Sequence, residues 1–257
     1  MGLVPPPAPA FTEPEPPPQP IAVRPAATRP TQPPPAPARP QPKLAEPPPA
    51  TPTFQAPRDP IGAPPPEAIA TADSLKELET RINGCLACPL GAGRIRFVFG
   101  EGNPKARMMF IGEGPGRDED LQGRPFVGKA GELLDKMIGA LGFRREDVYI
   151  ANVVKCRPPD NRTPSSQEAQ TCLGYLRRQI ELVKPGVIVT LGATPLRELL
   201  GVSTGITRIR GQWQRWNEIP VMPTYHPAYV LRQYTQDVRR AVWSDLQAAK
   251  TWLDEHP

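Results

Sequence analysis

The sequence has only four cysteines and two histidines among its 257 residues, and it has no long apolar run. A membrane-spanning helix needs about 20 consecutive apolar residues, so no span is expected. The first residues lack a basic region followed by an apolar stretch, which is the pattern of a secretory signal. We therefore expect a cytoplasmic protein, in which cysteines stay reduced and a disulfide is disfavoured.

Aromatic residues and periodic apolar patterns are almost absent from the first quarter of the chain, where proline is abundant. Of the 39 prolines in the sequence, 26 precede residue 67. Such a segment cannot bury enough apolar surface to offset the entropy lost on ordering. We predict a disordered Pro-rich tail over residues 1–72 and one folded domain over residues 73–257. Pro-rich runs suit aromatic-lined grooves, so an unknown partner of the tail is also considered.

The formal net charge is +5. Basic and acidic side chains are equal in number over residues 1–70, so the excess positive charge belongs to the folded domain. This charge fits a polyanionic partner, and an ordinary basic domain would explain it equally well.

The remaining sequence alternates between short apolar runs and helical patterns. The apolar runs read as buried strands at residues 107–111, 148–152, 187–191 and 221–225. Helical spacing of apolar residues predicts helices near residues 72–78, 128–141, 166–183 and 237–253. Strands that alternate with helices favour a parallel sheet covered on both faces. We predict an α/β fold, a three-layer α/β/α sandwich around a four-stranded, mainly parallel sheet.

The cysteines are Cys85, Cys88, Cys156 and Cys172, of which the first two form a C-x2-C pair. Four thiolates suit a structural zinc ion. They equally suit an iron–sulfur cluster, which tolerates scattered ligands. Spacing alone does not decide between these two centres, and four unrelated buried thiols are made improbable by the close pair.

A glycine-rich segment, GEGPG at residues 112–116, follows the first predicted strand. A dinucleotide-binding fingerprint is one interpretation, but its third glycine would fall on Arg117. A tight turn between strand and helix would also explain the glycines. It would not explain the acidic residues Asp118, Glu119 and Asp120 that follow.

Three other residues stand near predicted strand ends. Phe126 lies between glycines, where it is either a core residue or a platform for a planar base. Asn152 ends the second strand, and its amide matches the O4 and N3–H edge of uracil, although a turn-capping role is equally common. His226 directly follows the fourth strand and precedes a proline. The carboxyl ends of parallel strands form the usual ligand site of such sheets.

Together these segments resemble the family 4 uracil-DNA glycosylases, the iron–sulfur branch of their superfamily. The resemblance covers residues 80–255 and includes the cysteine spacing. Its other motifs are GEGPG at 112–116, GRPFVGKAGELLD at 123–135, NVVKCRPP at 152–159 and HPAYVLR at 226–232.

The resemblance implies a uracil-DNA glycosylase-like fold and an enzyme of base excision repair that releases uracil and leaves an abasic site. It implies that Phe126 stacks on an extruded uracil, that Asn152 reads its edge, and that His226 donates to O2. It also implies a [4Fe-4S] cluster on Cys85, Cys88, Cys156 and Cys172.

The group that positions the attacking water is less defined. The resemblance places Gly112–Gly116 in the floor of the uracil pocket near the sugar. Gly114 stands where better-known relatives carry an aspartate that positions the water. Glu113, Asp118 and Glu119 are the local carboxylates, and Glu119 is the preferred candidate. A related branch captures DNA covalently through a histidine after the Asn–Lys segment, and no histidine occurs there.

The expected partner is uracil-containing DNA, single- or double-stranded, bound by a monomer that associates with the nucleoid. Its backbone would contact basic side chains, for which the candidates are Lys129, Arg157, Arg162 and Arg232. Each of these is also explained as a solvated surface charge. The alternative function is a non-catalytic iron–sulfur DNA-binding module associated with replication. A nucleotide-dependent enzyme is a third interpretation, disfavoured by the imperfect glycine fingerprint.

Overall fold

The computed structural model of the protein describes residues 62, 64 and 66–257. The predicted Pro-rich tail therefore lies almost entirely outside the described residues. Its last part does not, because residues Pro66–Ala70 form a short helix, α1. Ile69 packs against the core and Ala72 is fully buried. These two apolar residues therefore pack with the core of the described part of the chain.

The described residues form six strands and ten α-helices. The strands are β1 (Glu101–Gly102), β2 (Met108–Gly112), β3 (Tyr149–Asn152), β4 (Val187–Leu191), β5 (Gln214–Trp216) and β6 (Ile219–Thr224). The helices after α1 are α2 (Leu75–Ile82), α3 (Leu90–Gly93), α4 (Arg117–Gln122), α5 (Lys129–Ala140), α6 (Ser166–Val183), α7 (Ala193–Leu200), α8 (Ile206–Ile209), α9 (Pro227–Arg232) and α10 (Gln236–Glu255).

The strands form one sheet in the order β1-β3-β2-β4-β6-β5. The four central strands pair in parallel, and each edge strand pairs antiparallel with its neighbour. The parallel strands are the four that the apolar runs predicted. The predicted strand number of four is wrong, because β1 and β5 are two and three residues long. Such short, partly exposed edge segments show no apolar run to detect.

The side chains of β2 alternate between the two faces of the sheet, as a strand requires. Met109 and Ile111 join the core with α2 and α6, whereas Met108 and Phe110 join the core with α5 and α10. The three-layer α/β/α arrangement is therefore confirmed. Helix α6 begins where predicted, since the Ser165 hydroxyl accepts from the Glu168 N–H and the Glu168 carboxylate accepts from the Ser165 N–H.

Within the described part of the chain, no helix combines the length and apolar character that crossing a bilayer requires.

Candidate active site

A cavity of about 640 Å³ opens at the carboxyl ends of β2, β3, β4 and β6. The parallel strands bring their ends to one edge of the sheet, so segments distant in sequence converge there. The predicted site residues that line this cavity are Glu113, Gly114, Glu119, Phe126, Asn152, Arg162, Arg232 and His226. One cavity therefore unites the aromatic ring, the amide and the imidazole that the sequence singled out.

Phe126 forms one wall and is almost completely buried. Its backbone has a positive φ of 52°, which is costly for a non-glycine residue. Two glycines make room for this conformation. A Cβ on Gly112 would lie 2.5 Å from the Phe126 ring, and one on Gly131 would lie 1.9 Å from the Phe126 carbonyl oxygen. The ring stacks on His226 with centroids 5.6 Å apart and planes inclined by 30°.

Asn152 ends β3 beside Phe126 and is only 2% exposed. Its Oδ1 is buried and accepts no hydrogen bond among the described residues. Buried polar atoms without a partner are uncommon and costly in folded proteins. Because this acceptor lines the cavity, it is available to a donor on a bound molecule.

His226 caps the N-terminus of α9, and its Nδ1 accepts a hydrogen bond of 3.1 Å from the Ala228 N–H. The ring hydrogen of the neutral imidazole is therefore on Nε2. Burial, together with the smaller effect of the positive charge of Arg232, lowers the pKa of His226 to about 4. At neutral pH the imidazole is thus an uncharged hydrogen-bond donor.

Glu119 lies in the first turn of α4, and both of its carboxylate oxygens are occupied by the protein backbone. One oxygen accepts from the Gly116 N–H at 3.0 Å, and the other accepts from Val127 and Gly128 at 2.9 and 3.1 Å. These bonds tie the glycine-rich loop to the Phe126 segment. The Glu119 carboxylate, the preferred candidate for positioning the water, therefore lines the cavity and at the same time accepts three backbone hydrogen bonds.

Glu113 also lines the cavity, and only one of its oxygens has a protein partner among the described residues. That oxygen accepts from the Thr194 hydroxyl at 2.5 Å. Thr194 lies in α7, directly after β4, and sequence reasoning missed it. The signal available was its position just beyond a predicted strand end. Asp118 contacts Gly128 rather than the cavity lining, since a Cβ on Gly128 would lie 2.7 Å from its Oδ2.

The basic candidates differ in position. Arg232 lies on the cavity rim and is exposed, whereas Lys129 is exposed but outside the cavity lining.

Arg162 forms a two-pronged ion pair with Glu168 at 2.8 and 2.7 Å, so part of its charge is already neutralised. Arg157 donates to the Asn161 side chain and faces a neighbouring cavity. Arg197 was not predicted and lines the cavity as well.

The four cysteines gather on the opposite side of β3 from Phe126. Three of them belong to the core formed with α2 and α6, Cys88 packs against it, and none forms a disulfide. Burial raises the pKa of Cys156 to about 11 and that of Cys172 to about 12. Negative charge on Cys88 and Cys85 contributes to the raised pKa of Cys156, so the thiols lie close enough to influence one another.

Two residues outside the predicted set connect the cysteine segments. The Arg94 guanidinium donates to the Cys85 carbonyl at 2.6 Å and to the Cys156 sulfur at 3.4 Å. The Tyr175 hydroxyl lies 3.0 Å from the Cys85 sulfur. Among the described residues, no three His, Cys, Asp or Glu side chains are gathered tightly enough to hold a single metal ion.

Residues 99–247 match the family described as the uracil DNA glycosylase superfamily. The chain is 48% identical over 186 residues to a type-4 uracil-DNA glycosylase of Thermotoga maritima, covering 71% of this chain and 97% of the relative. It is 44% identical over 183 residues to a type-4 uracil-DNA glycosylase of Archaeoglobus fulgidus, covering 68% and 91%. A type-5 uracil-DNA glycosylase of Pyrobaculum aerophilum is 32% identical over 145 residues, covering 49% and 63%. The type-4 relatives are thus matched at higher identity and over a larger share of their length.

Proposed function

The chain belongs to the type-4 branch of the uracil DNA glycosylase superfamily and is a DNA-repair glycosylase acting on uracil in DNA; we propose that the cavity at the strand ends holds the extruded uracil during hydrolysis. The observation that carries this proposal is the buried, unpartnered Oδ1 of Asn152 in the cavity wall. A base in a duplex is hidden in the stack, so it must leave the helix to reach this atom.

Asn152 reads the pyrimidine edge. Its Oδ1 accepts from uracil N3–H, and its Nδ2 donates to uracil O4. Cytosine presents the opposite pattern at these two atoms, so the same amide would meet a donor with a donor and an acceptor with an acceptor. Phe126 supplies a flat, almost buried ring on which the base stacks. The amide therefore provides specificity, while the aromatic ring provides most of the contact area.

His226 stabilises the leaving base. When the bond between N1 and C1′ breaks, its electron pair passes to uracil, and negative charge develops on O2. The uncharged imidazole donates from Nε2 to that oxygen, and its fixed Nδ1 bond holds the ring in place. Removing one such preorganised donor typically costs about 10²–10³ in rate.

Glu113 orients the attacking water in place of Glu119. Thr194 binds one carboxylate oxygen, and the other has no protein donor among the described residues. A water held by that oxygen adds its own oxygen to C1′ and gives a proton to the carboxylate, while the electron pair of the broken bond leaves with uracil. This role fits Glu113 because its carboxylate has one protein donor, whereas that of Glu119 has three.

The four cysteines would hold a [4Fe-4S] cluster. Four thiolates suit such a cluster, the thiols lie near enough to influence one another's pKa, and the resemblance to the family 4 enzymes favours the cluster over zinc. When bound, the cluster would cross-link the C-x2-C segment to the segment after β3, and the uracil chemistry takes place in the separate cavity.

DNA reaches the cavity as a single or double strand, with Arg232 and Arg197 on the rim as its backbone contacts. Lys129 and Arg157 extend this basic surface, while Arg162 contributes less because of its pairing with Glu168. The protein acts as a cytoplasmic monomer at the nucleoid, and the Pro-rich tail serves as a tether to a partner.

The test uses a labelled oligonucleotide with one uracil, followed by alkaline cleavage of abasic sites. We expect the wild type to convert the uracil position into an abasic site, at which alkali then cleaves the strand. Asn152→Ala and His226→Ala should lose about 10²–10³ in rate while keeping the cluster absorbance and the fold. An oligonucleotide with cytosine at the same position is the control. Full activity of Asn152→Ala would overturn the assigned role of the amide.

A further inference from the structure

Lys155 lies between the uracil cavity and the cysteines and has no exposed surface. Its Nζ donates to the Asn152 carbonyl oxygen at 2.9 Å and to the Gln179 Oε1 at 2.5 Å. Gln179 is also completely buried, and its amide donates to the Phe99 carbonyl and the Tyr149 hydroxyl. The ammonium is thus anchored in a rigid polar network under the end of β3.

The other side of Lys155 faces the cysteines. Its backbone N–H lies near the Cys172 sulfur, and Cys156 is the next residue in the chain. One residue therefore bonds the carbonyl of the uracil-reading asparagine through its side chain and lies beside two of the cysteines through its backbone.

Both hydrogen-bond partners of the Lys155 ammonium are neutral oxygens. They satisfy its donors but leave its charge uncompensated, and a buried charge without a counter-charge is strongly unfavourable. No carboxylate among the described residues forms an ion pair with Lys155, and the sulfurs of Cys156 and Cys172 are the neighbouring groups whose negative charge would stabilise it. A negatively charged thiolate cluster is therefore the counter-ion that this buried cation lacks.

We propose that Lys155 is a positioning residue that couples the cluster to the uracil site: its ammonium balances the charge of the cysteine-bound cluster and, through the Asn152 carbonyl, holds the uracil-reading amide in place. This inference rests on the proposed cluster and goes beyond the family's activity. Outer partners of metal ligands commonly change metal affinity or activity about 10–100-fold when they are removed.

The test compares Lys155→Met with Gln179→Met in cluster-loaded full-length protein. Both substitutions replace a completely buried polar side chain with an unbranched apolar one and break the same Nζ–Oε1 bond, but only the first removes the charge. We expect Lys155→Met to lose its cluster to a chelator about 10–100-fold faster and to shift the cluster's reduction potential to more negative values. Gln179→Met should keep the wild-type potential. Equal potentials in the two variants would overturn the proposal.

The second measurement does not use Lys155→Met, so it stands even if that variant does not fold. Coupling between two sites is reciprocal, so free uracil bound at Asn152 should slow cluster loss to a chelator. Asn152→Ala, which does not hold uracil, should show no such protection. Cluster loss that is unchanged by saturating uracil would overturn the coupling. Wild-type protein with cluster and activity but without coupling leaves the proposed function intact, whereas active protein that binds no cluster overturns the cluster and the coupling but not the glycosylase activity.

Discussion

Gly112→Ala tests whether the end of β2 shapes the uracil slot. The added methyl would lie 2.5 Å from the Asn152 Oδ1 and 2.5 Å from the Phe126 Cζ. Ordinary contact needs 3.4–4 Å, so both side chains must retreat by about 1 Å. They cannot do so freely, because Gly112 pairs with Asn152 in the parallel register of β2 and β3. A misplacement of about 1 Å can cost about 10²-fold in rate.

The assay is single-turnover release of uracil from an oligonucleotide, with thermal unfolding measured in parallel. We expect kcat to fall about 10²-fold and stability to fall by about 1–3 kcal/mol, the usual cost of overpacking a buried site. Gly139→Ala is the matched control, since a Cβ there meets nothing within 4 Å and the residue is exposed in α5. It should keep full activity and gain stability. Wild-type kcat in Gly112→Ala would refute the close fit of the slot.

Three further outcomes are expected. Because burial depresses the pKa of His226 to about 4, the unfolded chain binds more protons between pH 6.5 and 4, so stability should fall across this window as pH falls. In thermal unfolding, the stability of His226→Gln should therefore depend less steeply on pH between pH 6.5 and 4 than that of the wild type. The same pH dependence in both proteins would contradict the depressed pKa. Glu113→Gln should lower kcat with little change in stability. Glu119→Gln should destabilise the fold by about 1–3 kcal/mol, because its amide would point a donor at backbone donors. Kinetics and unfolding measured together would disprove our assignment if Glu119→Gln lowered kcat and Glu113→Gln lowered stability instead. Cys172→Ala should lower the iron content and the thermal midpoint, and unchanged values of both would remove the cysteine from the ligand set.

Sequence reasoning located the central strands because they are buried on both faces, which makes them continuous apolar runs. It located α6 because Ser165 and Glu168 satisfy the orphan N–H groups at its start through local bonds. The edge strands and α1 were missed because they are short and their pairing depends on neighbours distant in the chain. The backbone partners of Glu119 could not be predicted from the sequence, because two of them lie on a loop that only folding brings near.

The sequence by itself determined the order of the elements, the cysteine and glycine motifs, and the residue types suited to a pyrimidine, because these depend on side-chain chemistry and local spacing. Only the tertiary structure decided which of these residues share one cavity and which are already engaged. The unpartnered Oδ1 of Asn152, the Thr194–Glu113 bond and the buried ammonium of Lys155 each depend on side chains from several elements. Their free energies come from desolvation and from fixed neighbours, which a linear pattern does not contain.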